Sequence, residues 1–431
     1  MHPNLSFEQA PPASVPYRFF LAAPWFGVVA GILLAWVGGD VLGSRWTPEV
    51  LALVHLIAVG FMLQAMSGAM FQFIPVAVGG NVWRPLLVAN VVQPLLLVAA
   101  LLLVGGFLFS APPLLSAAVP LFLVGVGIFA VVVLIALWRT PATGMTLWTM
   151  RLALAGLVVT VLLGTLLAEA LARGLALPLI PLTNIHLAWG LGAWALMLVA
   201  AVSYFVVPMF QLTHPYPLWF ARGFGPLLML LVLIWSALWL LDEEGLAQGA
   251  GVLLALACAA FGSMTLWLQY TRRRKIDDAT SLNFRVAMIA LLTFAVSAAL
   301  MAIQPQIADD PRSGVWLGML AFPGVFVSTI SGMIYKITPF LNWLHLQRLG
   351  APISAVPNMK KMIPGDTMTG QFRLHLLAVL MLLASVWLPA LARPAGLVFA
   401  VSCAWLGLNV IQALKNYHRF RDQIRASVLH H

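Results

Sequence analysis

Long apolar stretches separated by short polar turns are the dominant pattern of this 431-residue chain. A helix needs about 20 apolar residues to cross the hydrocarbon core of a bilayer. Breaks at charge clusters and at turns rich in proline, glycine or asparagine predict twelve such helices. The predicted spans are 19–38, 49–77, 84–109, 114–138, 147–170, 180–210, 217–241, 247–270, 283–303, 314–340, 373–391 and 394–415. The pattern therefore predicts an all-α integral membrane protein.

The composition supports this prediction and excludes several classes of protein. Hydrophobic residues make up 62% of the chain and charged residues only 8%, whereas a soluble domain carries about a quarter charged residues. A cytosolic enzyme, a secreted disulfide scaffold and a disordered chain are therefore excluded, and the lipid bilayer is the expected partner. The two cysteines, Cys258 and Cys403, stand alone in apolar runs, so neither a zinc motif nor a thiol motif is present.

The distribution of basic residues predicts the orientation of the chain. Twelve spans place both termini on one side, and only four of the 23 Lys and Arg residues lie on the other side: Arg45, Arg173, Arg312 and Arg393. The positive-inside rule therefore predicts that both termini, 1–18 and 416–431, are cytoplasmic and flank a membrane domain (19–415) in a bacterial inner membrane. The net charge of +10 is an orientation signal and a contact for anionic lipids, and nucleic-acid binding is not expected.

A short motif recurs at the ends of spans two, six and ten. It covers Ser67–Pro75, Ala200–Pro208 and Ser331–Pro339. Each copy has an aromatic residue four positions before its proline, and the three prolines follow one another at nearly equal intervals. Four spans separate successive copies, whereas transporters of the major facilitator type repeat every six spans.

This spacing predicts three four-helix arcs with pseudo-threefold symmetry about an axis along the membrane normal. The predicted units are 19–138, 147–270 and 283–415. Spans two, six and ten would be the inner helices, because their small residues allow close packing.

Two histidines lie near the outer ends of inner spans, in the similar contexts His55–Gly60 and His186–Gly190. A histidine inside a membrane usually faces the bundle interior and carries function. Neutral imidazole is also the commonest metal ligand and a frequent axial ligand of haem iron. The alternative is that each ring is a packed residue that donates to a backbone carbonyl. Both interpretations remain open from the sequence.

The twelve spans, the three arcs and the positions of His55 and His186 resemble subunit I of the haem-copper oxidase superfamily. In that family the span-two histidine is an axial ligand of the low-spin haem, and the span-six histidine binds copper. The resemblance implies these roles for His55 and His186. The family's other histidines are missing, because 219–241 and 314–339 contain none. The family's tyrosine one turn after the copper ligand would fall at Gly190.

These departures remove the dioxygen-reducing centre and point to a divergent relative, similar to nitric-oxide-response membrane proteins. The resemblance implies one haem b near the outer face, with copper as the alternative, and a role in redox chemistry or in the response to nitric oxide or oxygen. A quinone or a periplasmic electron donor would be the partner. The other hypotheses are a transporter or channel without haem, and an assembly partner of respiratory complexes.

Met319 is a third ligand candidate, because it precedes Pro339 by the same interval by which His55 precedes Pro75. A thioether can complete a His/Met haem site, although one of 18 methionines can fall at this position by chance.

A second candidate site lies at the cytoplasmic end of span ten and in the long loop that follows. Lys336, Tyr335, His345 and His375, with Asn342 and Arg348 as further contributors, are candidates for binding an anion or a quinone headgroup. In the alternative interpretation, the Lys336 ammonium group simply reaches the membrane interface.

Overall fold

The structure, a computed structural model, describes residues 10–272, 277–349 and 356–429. The chain is 86% helical, and the described residues contain no strand, which confirms the all-α prediction. Parts of two predicted cytoplasmic loops lie outside the described ranges, among them the basic residues Arg273, Arg274 and Lys275 and the loop residue Pro352.

Within the described ranges, twelve helices are long and apolar enough to cross a membrane, as predicted. They are α1 (Ser14–Val37), α2 (Pro48–Val78), α3 (Pro85–Leu108), α4 (Pro112–Arg139), α5 (Met145–Arg173), α6 (Leu179–Gln211), α7 (Leu218–Leu240), α8 (Glu244–Tyr270), α9 (Ala279–Ile303), α10 (Arg312–Gln347), α11 (Gly365–Ser385) and α12 (Pro389–Ala426). The chain is therefore a multi-pass membrane protein in contact with lipid. Because the number of spans is even, α1 begins and α12 ends on the same side, which we call the terminal face. The other side is the opposite face.

Several helix boundaries differ from the prediction, and those of α1, α11 and α12 are the most informative. Helix α1 begins at Ser14, and α11 begins at Gly365, well before the predicted start at 373. The charge of Arg373 suggested a loop, but its side chain is exposed on the surface of α11. Helical structure continues past Ala426, the end given above for α12, to Leu429, so the predicted tail is helical as far as it is described. Its basic residues end a long helix instead of forming a separate segment.

Nine of the twelve helices form a closed ring around the other three. We call α1–α4 unit 1, α5–α8 unit 2 and α9–α12 unit 3. Each unit contacts the next through its last and first helices, as the pairs α4 and α5, α8 and α9, and α12 and α1. Within each unit the third helix packs on the fourth, and the second packs on the first. The same helix contacts therefore recur in all three units, and the pseudo-threefold symmetry stays a prediction.

The inner helices are α2, α6 and α10, which are the most buried of the twelve. In the most apolar part of each helix, 67% of the residues of α2 and of α6, and 83% of those of α10, are buried. The corresponding share is 50% or less in the other nine helices. This difference agrees with the central position that the repeated motif predicted for them.

The ring is closed where α1 crosses α12 at two glycines. A Cβ atom on Gly31 would lie 2.5 Å from the carbonyl oxygen of Gly396, and a Cβ atom on Gly396 would lie 2.5 Å from that of Gly31. Neither position has room for a side chain. The two backbones therefore approach each other as closely as small-residue contacts between membrane helices allow.

Candidate functional site

Each inner helix widens into a π-helical segment in its opposite-face half. The segments are Leu56–Met62 in α2, Ala188–Leu196 in α6 and Leu320–Val327 in α10. Their starting points precede the motif prolines by nearly the same interval, so they occupy equivalent positions in the three units. Short π-helical insertions are rare and are frequent at functional sites. His55 and Met319 directly precede two of these segments, and His186 lies just before the third, separated from it by Leu187.

His55 is held by its own helix. Its Nδ1 atom lies 2.7 Å from the carbonyl oxygen of Leu51, and its ring lies 4.9 Å from the ring of Phe107 in α3. Because a carbonyl oxygen only accepts hydrogen bonds, Nδ1 carries the proton of the neutral ring. The Nε2 lone pair of this half-buried side chain is therefore left available for a ligand.

His186 makes the same kind of hydrogen bond to a different helix. Its Nδ1 atom lies 3.0 Å from the carbonyl oxygen of Thr160 in α5. Gly164 provides space for the ring, since a Cβ atom there would lie 2.9 Å from Cε1 of His186. In this ring too, Nδ1 carries the proton and Nε2 is the free base. The bond fixes both the ring orientation and the tautomer, as second-shell partners do for histidines that bind metals.

The two histidines do not occupy strictly equivalent positions. His186 is further from its motif proline than His55 and Met319 are from theirs, and Ala188 is the true equivalent of those two residues. A shift of two positions corresponds to about 200° around an α-helix, which explains why His55 contacts α3 and His186 contacts α5. Even so, the two rings are close enough for an electrostatic interaction.

Arg45 is a site residue that the sequence prediction missed. It lies in the opposite-face loop before α2 and donates from Nη2 to Oδ1 of Asn184 in α6 at 2.9 Å. Its Cδ atom would lie 2.9 Å from a Cβ atom on Gly314 of α10. One side chain just before α2 thus reaches the ends of both α6 and α10. Burial lowers the pKa of Arg45 from its usual value, but a guanidinium group remains charged at neutral pH.

Met319 is not joined to the histidines by any contact of the described residues. It is half-buried against the main hydrophobic core, and the π-helical segments of α2 and α10 touch each other. Its assignment as a third ligand stays a prediction.

The four residues of the second candidate site have different partners. Lys336 pairs with Asp278 through an Nζ–Oδ2 contact of 2.6 Å, which compensates its charge. Tyr335 donates to Oε1 of Gln371 at 3.1 Å, and the ring of His345 lies 6.4 Å from that of Tyr417. No contact of the described residues joins two of the four, and a shared headgroup site stays a prediction.

The position of His375 corrects an expectation. The sequence placed it at the terminal end of span eleven, but it lies well inside α11, almost three turns from Gly365, and is 1% exposed. Its Nε2 atom lies 2.9 Å from Oγ of Ser328 in α10. The early start of α11 is the reason, because it moves this residue into the membrane.

A small apolar cavity lies between the inner helices. Its volume is about 60 Å³, much smaller than the roughly 300–1,000 Å³ of typical cofactor pockets. Each inner helix contributes four residues at the same positions relative to its motif proline: Ala65, Met66, Ala69 and Met70 from α2, Leu198, Val199, Val202 and Ser203 from α6, and Thr329, Ile330, Met333 and Ile334 from α10. This shared register supports the repeat, and the size of the cavity excludes a haem from it.

The chemistry available to the outer histidines is that of two neutral imidazoles. Among the described residues, no group of three or more His, Cys, Asp or Glu side chains is arranged to hold a metal ion. Each ring nevertheless keeps a nitrogen that can bind a ligand, because its Nδ1 proton is committed and its Nε2 atom is available.

No family model of known proteins matches the chain, and no curated protein sequence matches it. The resemblance to oxidase subunit I therefore stays a prediction.

Proposed function

We propose that this membrane protein binds one haem b, or one metal ion, through His55 and His186 in the opposite-face half of α2 and α6. The observation that carries the proposal is the matching hydrogen bond of the two rings, Nδ1 to a backbone carbonyl at 2.7 and 3.0 Å. This bond leaves the Nε2 atom of each imidazole as the ligating atom. A haem b supplies one-electron chemistry and binds diatomic gases. Copper is the alternative, because imidazole also suits that metal.

The surrounding residues would tune such a group. Arg45 holds a positive charge over the ends of the inner helices. A fixed positive charge favours the reduced form of a nearby redox centre, since that form carries one more electron. Phe107 packs against the ring of His55 and restricts its movement. These features support a role in electron transfer or in the response to nitric oxide or oxygen, rather than terminal-oxidase activity.

The cellular setting is part of the same proposal. The excess of Lys and Arg at the terminal face supports a bacterial inner membrane with both termini in the cytoplasm. The histidines would then lie near the periplasmic side, within reach of a periplasmic electron donor. A quinone dissolved in the bilayer is the other donor class.

The test is to purify the protein after growth with haem and copper supplied. We expect a Soret band in the reduced-minus-oxidised spectrum or a stoichiometric transition metal. Whichever of the two the wild-type protein shows should be lost in His55→Ala and in His55→Leu. His186→Ala should lose the group or change its spin state. His214→Ala is the matched control, because His214 is exposed in a loop.

Absence of both a Soret band and bound metal from the wild-type protein would overturn the proposal. The transporter and assembly-partner hypotheses would then lead. Of these two, passage of a polar solute along the central axis is disfavoured by the small apolar cavity found there.

A further inference from the structure

The hydrogen bonds of His375 define which of its ring nitrogens carries the proton. The hydroxyl of Ser328 donates to the carbonyl oxygen of Pro323 at 3.1 Å, so its single proton is committed. Nε2 of His375, 2.9 Å from the same hydroxyl oxygen, must therefore be the donor in that contact. This is the opposite tautomer from that of His55 and His186.

Nδ1 of His375 is consequently an unprotonated base inside the membrane. It is fully buried and has no hydrogen-bond partner among the described residues. A buried acceptor without a partner is unfavourable, and ionisable residues at membrane depth commonly belong to proton or substrate pathways. The unpaired Nδ1 atom of His375 therefore calls for a functional explanation.

A buried polar cluster lies one helical turn from His375 toward the terminal face. Tyr335 of α10 donates to Oε1 of Gln371 at 3.1 Å, and Asn409 of α12 donates to the Tyr335 hydroxyl at 2.9 Å. Gln371 in turn donates to Oγ of Ser402 at 3.1 Å. All four side chains are less than one-tenth exposed.

A second cluster continues toward the terminal face. Tyr17 of α1 donates to Oδ1 of Asn342 at 2.8 Å. Asn416 donates to the carbonyl oxygen of Met362 at 3.0 Å and accepts from the exposed Gln412 at 3.1 Å. The polar residues recur every seven positions, as Ser328, Tyr335 and Asn342 in α10 and as Ser402, Asn409 and Asn416 in α12. Seven positions make about two helical turns, so each set lies along one side of its helix.

We propose that Nδ1 of His375 is a proton-binding site within the membrane, and that these polar residues of unit 3 guide water and protons to it from the terminal face. Water molecules bridge the steps between the clusters, as they do for buried polar groups elsewhere. In the binding step, a hydronium ion transfers its proton to the Nδ1 lone pair. A new N–H bond forms, one O–H bond breaks, and neutral water remains beside an imidazolium ring.

The titratable groups on the helices packed against His375 do not already compensate such a charge. Tyr335 on α10 and Cys403 on α12 are neutral in their ordinary states at pH 7. On α9 and at its start, Arg285 pairs with Asp277, and Asp278 pairs with Lys336. The site is also separate from the pair His55 and His186, which belong to units 1 and 2.

The experiment uses the full-length protein with ¹⁵N-labelled histidine in lipid nanodiscs, and nuclear magnetic resonance of the ring nitrogens. His375→Gln assigns the His375 signals. We expect the Nδ1 signal to change from unprotonated to protonated as the pH falls from 8 to 4, and the ring N–H to exchange in D₂O. Tyr335→Phe and Asn409→Leu should each slow that exchange at least tenfold.

Gln211→Leu is the matched control. Gln211 of α6 pairs with Gln269 of α8 at 2.7 Å. These two residues occupy the positions of unit 2 that are equivalent to Asn342 and Asn416 of unit 3. The Gln211→Leu variant should leave the exchange of His375 unchanged. Tyr335→Phe keeps the ring, and unit 1 has phenylalanine at the equivalent position, so this variant should fold. The proposal is overturned if the wild-type Nδ1 signal does not titrate, or if Tyr335→Phe exchanges as fast as the Gln211→Leu control.

Discussion

Units 1 and 3 place their helices in the same register but fill the space between the second and fourth helices differently. In unit 1, Phe71 of α2 meets Phe129 of α4 with ring centroids 5.4 Å apart. In unit 3 the equivalent positions hold Tyr335 and Asn409, which are hydrogen-bonded at 2.9 Å. The loop between the second and third helices is longer in unit 3 than in units 1 and 2. Residues that follow this loop are matched between the units after its extra length is subtracted.

The buried polar side chains of the two units also differ in their pairing. Gln64, Ser67 and Gln72 of unit 1 are buried without side-chain partners among the described residues. In unit 3, Tyr335, Gln371, Ser402 and Asn409 are joined in one cluster. A joined cluster specifies one arrangement of three helices and loses several bonds when one member is removed. The same backbone register can thus support an apolar contact or a polar network.

The largest expected effect comes from introducing the polar chemistry of unit 3 into unit 1. Phe129→Asn should lower the free energy of unfolding by about 4 kcal/mol or more, because it removes a fully buried ring and leaves an amide unpaired. Adding Phe71→Tyr, which recreates the pair of unit 3, should recover about 1 kcal/mol. Unfolding in a detergent series measures both values. A double variant no more stable than Phe129→Asn alone would show that the two positions are not equivalent to Tyr335 and Asn409.

An intermediate effect is expected from removing the centre of the cluster in unit 3. Gln371→Leu keeps the side-chain volume but leaves the hydroxyls of Tyr335 and Ser402 without this partner, so it should cost about 2 kcal/mol. Gln248→Leu, at an exposed amide of α8, is the control and should change stability by less than about 0.5 kcal/mol. Equal losses in the two variants would contradict the cluster.

The smallest effect distinguishes two tyrosines at equivalent positions. The Tyr335 hydroxyl has two side-chain partners, whereas the buried Tyr204 hydroxyl of unit 2 has none among the described residues. Tyr335→Phe should therefore cost about 1 kcal/mol and Tyr204→Phe about zero, from interhelical hydrogen bonds worth about 0.6 kcal/mol each. Thermal unfolding of the two variants side by side measures the difference. A larger loss in Tyr204→Phe would reverse the comparison.

Much of the fold could be predicted because span length and hydrophobicity are local properties of the sequence. All twelve helices were found, and the motif prolines identified the three most buried ones. The π-helical segments were not predicted, since they depend on how the inner helices pack. Arg45 was missed because its contacts with Asn184 and Gly314 join residues far apart in the chain.

The candidate sites were predicted less completely than the fold. The sequence identified His55 and His186, but not the carbonyl groups that orient their rings. One carbonyl lies on the same helix as His55, and the other lies on α5, a different helix from that of His186. His375 was placed at the terminal end of span eleven because the charge of Arg373, two residues earlier, was taken as the end of a loop. A charged side chain on the lipid-facing surface near a helix end gives the same local signal as a loop residue.

The contact of Gly31 with Gly396 joins the first and last helices of the chain. During synthesis it can therefore form only after α12 has entered the membrane. Until then the surface of α1 around Gly31 faces lipid or an assisting protein, and unit 3 lacks the polar residues Ser402, Asn409 and Asn416 of α12. Completion of the ring and completion of the polar cluster are thus the same late event in the biogenesis of this protein.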